Sequence, residues 1–303
     1  MPAAGPAQPS GKRIAAISTI GCDIGGSALK IVRLRRLRII ESLEIPNRRE
    51  TGPREFVDLL AKTFARLEGD AIGVAVPGFL DARRRKIVRL SNLPALDGLT
   101  LASRLERRLG RPVILDADTN AGAVGEARLG VARGVDRVLY VTLGTGLGAA
   151  LAVGGVPVRV SRHTVGQIAS IPLGSRREDE AERLLSAKGI LRRYRRAGGS
   201  RRVASALELY RRARDGDETA LSTWRETGDL LGSLLRTLVP LLQPDVVVIG
   251  GGVAGASDLF LGSARRLLRR SLPRDGNREI PLSVAKLARL SGAVGAALLA
   301  RDA

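Results

Sequence analysis

The chain has one cysteine, Cys22, and one histidine, His163, in 303 residues. A disulfide framework needs paired sulfurs, and a Cys-based zinc site needs several, so neither is available. A single histidine excludes His-cluster metal sites and leaves at most one histidine general base. No Gly-x-Ser-x-Gly elbow occurs, so a Ser-His-Asp hydrolase has no support, and His163 reads as a lobe or surface histidine. Aromatic residues make up only 3% of the chain, which leaves few platforms for stacking single-stranded nucleic acid. Long apolar runs are also missing. Ile14 to Cys22 is short and contains Ser18 and Thr19, which suits a strand better than a signal segment. Leu230 to Leu242 is interrupted by Arg236 and Pro240, so no membrane span is expected and a cytoplasmic protein is the default.

The chain is rich in arginine. Six of the 50 basic residues are lysine, leaving 44 arginines, and 30 acidic residues bring the net charge to +20. Such a balance fits a polyanionic ligand or a solvated basic surface. Arg33, Arg35, Arg36, Arg83 to Arg85, Arg192, Arg193, Arg195 and Arg196 are spread along the chain, which favours the solvated surface. With 44% hydrophobic residues and 36 glycines, the composition is that of a globular protein with a full core. Residues 1–12 are small and Pro-rich and read as a loose tail.

Short β-rich runs alternate with amphipathic stretches, the pattern of an α/β protein. Strands are expected at Ile14–Ile24, Leu29–Leu34, Ile39–Glu44, Ala71–Val76, Val113–Asp116, Val138–Leu143, Ala149–Val153 and Val246–Ile249. Helices are expected at Pro53–Leu67, Thr100–Leu109, Asn120–Leu129, Glu180–Ala187, Ala204–Asp215, Glu218–Leu242, Leu259–Ser271 and Ser291–Ala300. A weak internal repeat stands out. Gly21-Cys22-Asp23-Ile24-Gly25-Gly26-Ser27 and Tyr140-Val141-Thr142-Leu143-Gly144-Thr145-Gly146 both read as apolar strand, polar residue and glycine turn, with a second apolar strand following. Two such hairpins predict two similar lobes facing one cleft, with a hinge near residues 115–120.

Each hairpin has two readings. The first carries Asp23, Gly25, Gly26, Ser27 and Lys30. Its amides could cradle phosphate while Asp23 organises a divalent cation through water, or it could be an ordinary tight turn. Thr142, Gly144, Thr145 and Gly146 pose the same choice, and the two hairpins together favour phosphate. Gly250, Gly251 and Gly252 follow the apolar run Val246 to Ile249, and with Gly255 they satisfy G-x-G-x-x-G. That permits a dinucleotide fold and a flavin or nicotinamide oxidoreductase. Little chain remains after it for such a domain, and a glycine-lined adenosine seat uses the same close approach. Val113 to Asp116 is a strand ending in carboxylates, with a helix after it. A carboxylate there can act as general base, whereas Asp118 or Asn120 could equally cap the helix. Asp116 is expected to face solvent or a backbone amide.

Taken together, these segments resemble the ROK family of sugar kinases and repressors, over roughly residues 14–300. Asp23-Ile24-Gly25-Gly26-Ser27 with Lys30 is similar to its first phosphate motif, and Thr142 to Gly148 to its second. Ile249-Gly250-Gly251-Gly252-Val253 resembles its adenosine motif, and Asp118-Thr119-Asn120-Ala121 with Gly125-Glu126 its catalytic segment. Gly73 to Gly78 and Asn92-Leu93-Pro94 fall in the family's order. The resemblance implies two ribonuclease-H-like, actin-like ATPase lobes flanking a central cleft. The N-terminal lobe would span 13–118 and the C-terminal lobe 119–290, with 291–303 packing back on the first lobe. It implies phosphoryl transfer from ATP with Mg²⁺ near Asp23, Asp118 as base, a hexose as acceptor, and a homodimer. Pro77, Gly78, Asn92, Gln167, Ser170 and Glu182 would then contact the sugar.

The departures from the family pattern are specific. Gly166-Gln167-Ile168-Ala169-Ser170 replaces the usual Gly-Glu-x-Gly-His, and Ala117 replaces the Asn before the catalytic Asp. Leu173, Ser175 and Glu180 stand where zinc cysteines would fall, so no structural zinc is expected. These changes leave room for a non-glucose substrate or a weakly active sugar-binding pseudokinase. The Asp-Ile-Gly-Gly-Ser start and the scarcity of cysteine also resemble polyphosphate glucokinases, which makes polyphosphate an alternative donor. The first hairpin lies close to Met1, leaving no room for the helix-turn-helix of the family's repressors, so no DNA partner is expected.

Overall fold

The computed structural model describes residues 18–48, 50–90, 92–159, 167–271 and 279–303. The tail, the first residues of the strand expected from Ile14, His163 and Gly166 lie outside them. The first half runs β1 (Ser18–Ile24), β2 (Ala28–Arg35), β3 (Arg38–Pro46), α1 (Pro53–Ala65), β4 (Ala71–Val76), β5 (Phe79–Leu80), β6 (Ile87–Arg89), α2 (Leu101–Leu109) and β7 (Val113–Ala117). Next come α3 (Asp118–Arg128), β8 (Arg137–Leu143), β9 (Leu147–Val153), β10 (Val156–Pro157), α4 (Ala181–Leu185), α5 (Ala187–Arg196) and α6 (Ala206–Arg214). The chain finishes with α7 (Glu218–Leu242), β11 (Val246–Gly250), α8 (Ser257–Ser271), β12 (Leu282–Val284) and α9 (Ser291–Arg301).

The two main sheets have one topology. The first is ordered β3-β2-β1-β4-β7 and the second β10-β9-β8-β11-β12. In each, two antiparallel hairpin pairings are followed by two parallel ones. The repeat seen in the sequence is therefore the equivalent hairpins β1–β2 and β8–β9. This order also removes the dinucleotide reading: β11 lies between β8 and β12 in a mixed sheet, and a Rossmann domain needs an all-parallel doubly wound order.

Each sheet buries one face under its own helices. Ile20, Cys22 and Ile24 of β1 join Phe56, Leu60 and Phe64 of α1 and Leu101 and Leu105 of α2. Leu139 and Val141 of β8 join Trp224, Leu231 and Leu235 of α7 and Phe260 of α8, with the Trp224 and Phe260 rings stacked 6.0 Å apart. Such stacked pairs stabilise beyond the area they bury. The sequence conceals α5, because Gly189 and four arginines obscure its apolar stripe; Ile190, Leu191 and Tyr194 nevertheless enter the second core. Pro240 sits in the last turn of α7, where its missing N–H forfeits one i→i−4 bond close to the helix end, and Gln243 closes the helix in the left-handed region.

Helices α3 and α9 lie against each other, with α9 also on β1 and β4 and α3 on β8 and β9. Small residues permit this approach. A Cβ on Gly21 would fall 1.9 Å from the Ala293 carbonyl, and one on Gly73 equally close to that of Ala296. Glu126 fixes the pair. Its fully buried carboxylate accepts the amides of Val131, Lys286 and Leu287 and the Ser291 hydroxyl. These four donors meet the requirement that a buried carboxylate be fully hydrogen-bonded.

Candidate active site

Asp118 is the first residue of α3, reached directly from the C-terminal end of β7. The N-cap position is Ala117, which has no capping side chain, so the capping reading of Asp118 does not hold. The carboxylate accepts the Thr119 amide at 2.8 Å and is half-buried. Its pKa is pushed up to about 7, chiefly by desolvation and next by the charge of Asp23; the amides of Thr119 and Asp118, together with Lys30, pull the other way. A carboxylate poised near neutrality suits proton abstraction at neutral pH.

Asp23 stands one residue before the end of β1 and pairs with Lys30 across the hairpin at 3.7 Å, as the strand register dictates. Burial raises its pKa, and the Lys30 charge opposes the rise. Its carboxylate rests against the first turn of α9, where a Cβ on Gly292 would come within 2.9 Å of Asp23 Cγ. In the turn itself, the Gly25 amide donates to the carbonyls of Asp23 and Ala28, and Asn47 Nδ2 donates to the Gly25 carbonyl at 2.8 Å. Gly26 and Ser27 form its accessible tip.

The β8–β9 turn approaches from the other sheet. A Cβ on Gly148 would meet Thr119, the neighbour of Asp118, at 2.7 Å. The Gly144 amide donates to the Gly146 carbonyl, and the Ala187 amide, at the start of α5, donates to the Gly144 carbonyl. Thr142 pairs in register with Gly250, and Thr145 is exposed at the tip. A Cβ on Gly144 would lie 4.0 Å from the Gly252 amide, and nothing fills the space beside Gly252 itself. Gly251 has φ +83°, which strains any residue with a side chain, and a Cβ there would strike the Leu143 carbonyl at 2.2 Å. The two turns thus form an open cradle of backbone groups, the surface that close approach of a phosphate or a nucleoside requires.

Two of the residues assigned to the sugar lie against these turns. Asn92 borders Gly26, whose Cβ would be 3.7 Å from Asn92 Nδ2. Glu182, in the first turn of α4, accepts the Leu147 amide at 3.0 Å and so holds the second turn. Gly78 follows β4, donates to the Val76 carbonyl and backs onto Arg89 of β6; Pro77 is the half-buried link before it. Gln167 and Ser170 are exposed at the ends of a 3-10 turn anchored by buried Ile168. The loop where Leu173, Ser175 and Glu180 stand closes on itself. Pro172 bridges Glu180, Leu173 donates to the Asp179 carbonyl, and the Asp179 side chain accepts the Arg176 amide.

Asp116 meets its expectation in part, since it accepts the Ala117 amide, but it does not face solvent. Only 3% of it is exposed, and it faces two guanidiniums, Arg84 at 3.7 Å and Arg159, as well as Asn120 Nδ2 and the Ala117 amide. A carboxylate at that depth must be paired, and the arginines that pair it come from the β5–β6 loop and from the residues after β10. In the sequence these are indistinguishable from the many solvated arginines.

This arrangement, two like sheets with glycine turns converging on a half-buried aspartate, defines the actin-like ATPase class of α/β proteins. Residues 19–303 match the ROK family, and the chain belongs to it. The glucokinase of Thermotoga maritima is 28% identical over 275 residues, covering 82% of this chain and 86% of that protein. The N-acetyl-D-glucosamine kinase of Erwinia tasmaniensis is 31% identical over 284 residues, covering 84% and 90%. The crystal structure of a Streptomyces griseus ROK glucokinase in complex with glucose and AMPPNP superposes with a TM-score of 0.81 at 26% identity, covering 94% of this chain and all of that one.

Proposed function

We propose that this protein is an ATP-dependent hexose kinase in which Asp118 takes the proton from the attacking sugar hydroxyl. Family membership and the relatives named glucokinase and N-acetylglucosamine kinase support the reaction class. The single observation that carries the residue assignment is Asp118: a half-buried carboxylate with a near-neutral pKa beside the first turn, with its neighbour Thr119 touching the second hairpin. Asn92 and Asp118 orient the acceptor. The Gly25 and Gly144 amides brace their own turns, and the tips at Gly26, Ser27, Thr145 and Gly146 hold the phosphate chain, while Gly250 to Gly252 seat the adenosine. The open space at Gly252 and the positive φ of Gly251 fit that role.

Magnesium fits the same site. Asp23 offers a carboxylate near the cradle, and Mg²⁺ is commonly held by one or two carboxylates together with substrate phosphates. Among the described residues no cluster of three or more His, Cys, Asp or Glu could hold a metal, so Asp23 with the donor phosphates would be the holder. Bound there, the ion would neutralise charge developing on the transferred phosphoryl group. Lys30 opposes the rise that burial imposes on the Asp23 pKa and orients the carboxylate through their ion pair. Glucose or an N-acetylated hexose is the acceptor and ATP the donor, and the enzyme acts as a homodimer.

The test is a panel of hexoses and N-acetylhexosamines assayed in parallel with ATP and with polyphosphate, with Asp118→Asn as control. ATP-dependent turnover should appear with at least one hexose, and kcat should fall at least about 10²-fold in the variant, the scale of general-base catalysis. Near-wild-type turnover by Asp118→Asn would overturn the assignment.

A further inference from the structure

A cluster of basic side chains lies away from the cleft. Along β1, Gly21 and Asp23 face α9, whereas Ile20, Cys22 and Ile24 face the core under α1 and α2. Between α1 and α2 is a cavity of about 290 Å³ lined by Arg54, Val57, Arg104, Arg107 and Arg108. Val57 is buried and the four arginines are exposed. Arg108 is held by Asp58, and Arg107 Nε donates only weakly, at 3.4 Å, to the Ser103 carbonyl. Among the described residues no ion pair engages Arg54, Arg104 or Arg107.

The placement concentrates like charge on the helix faces that flank the cavity. Arg104, Arg107 and Arg108 are three and four residues apart on one helix face, where like charges repel. The last turn of α2 favours Arg107 and Arg108 through the helix dipole, but Arg54 lies in the first turn of α1, where that dipole opposes a cation. Four guanidinium side chains line one cavity, and of them only Arg108 has an ion-pair partner among the described residues, Asp58. Arginine forks match phosphate oxygens bidentately.

We propose that the α1–α2 groove binds an oligophosphate, a chain of two or more linked phosphates, at a site separate from the catalytic cleft. The source is either a free inorganic chain or the tail of a nucleotide. The proposal does not depend on the kinase reading, because the groove and Asp23 lie on opposite faces of the first sheet.

Hydrogen exchange of the full chain with sodium tripolyphosphate, and separately with ATP, tests it by location. Tripolyphosphate should slow exchange in peptides from residues 53–65 and 101–109. Arg104→Glu/Arg107→Glu should weaken that protection at least about tenfold in concentration, while hexose-kinase turnover and circular dichroism stay unchanged. Arg35→Glu/Arg38→Glu, which changes net charge equally at exposed positions on the β2–β3 hairpin, should leave the protection intact. Protection by ATP as well identifies the tail as sufficient, and protection by tripolyphosphate alone restricts the site to inorganic chains. Absence of protection at α1 and α2, or equal loss in both double variants, overturns the proposal.

Discussion

Asp118 places activity and stability in opposition. Its carboxyl titrates near 7 in the folded chain, against an ordinary value of 3.8. The folded state therefore favours the protonated form. The resulting contribution to stability is complete below about pH 4 and is lost as pH rises through about 7. Asp118→Asn should thus unfold at a higher temperature than the wild type at pH 8, with the difference vanishing toward pH 4, as thermal melts across that range would show. The same titration should appear in the kinetics: kcat/KM should fall tenfold per pH unit below about 7 as the base becomes protonated. A flat profile between pH 5 and 8 would remove Asp118 from the proton-transfer role. Gly292 acts by making room. Gly292→Ala would place a methyl 2.9 Å from Asp23 Cγ and push the carboxylate off its seat. Turnover should drop by roughly tenfold or more, as for other sub-ångström misplacements, with a smaller change in melting temperature.

Among the elements, the hairpins carry both the best and the least expected features. The β2–β3 turn places Arg36 at φ 50° and Leu37 at φ 62°, the left-handed conformation that a type I′ turn demands and that leucine tolerates poorly. Leu37 is 42% exposed, so little packing is lost on its removal. Leu37→Gly should raise the unfolding free energy by about 1 kcal/mol in denaturant titration. The strands of the glycine hairpins were legible because each joins an apolar run to a glycine-rich turn. Asp118, Asp23 and the Gly250 turn could be picked out as candidates because each stands in a motif of consecutive residues. The pairing of Asp116 with Arg84 and Arg159 was not. It depends on chain segments from two sheets, and arginine in this sequence carries no local mark of being paired. Strand β12 and helix α5 were missed because one is only three residues long and the other hides its stripe among arginines.

At the scale of the whole molecule, the duplicated sheet order explains why one short segment pattern appears twice, and why the two turns can face one substrate. The sheets are joined through α3 and α9 and through the Asp116–Arg159 pair. Rotation about this packed helix pair would let the halves move as bodies. Small-angle scattering should show a smaller radius of gyration with glucose and AMPPNP together than with neither, and an unchanged radius would indicate that the halves are already closed. One consequence follows for biosynthesis. Because α9 covers β1 and β4 yet comes last among the described elements, the earliest sheet to leave the ribosome keeps one face bare throughout translation of the later one. That face presents Gly21 and Asp23 of β1 and Gly73 and Ala75 of β4, so the surface that waits is small and partly polar, and the N-terminal half is sealed only when the last helix arrives.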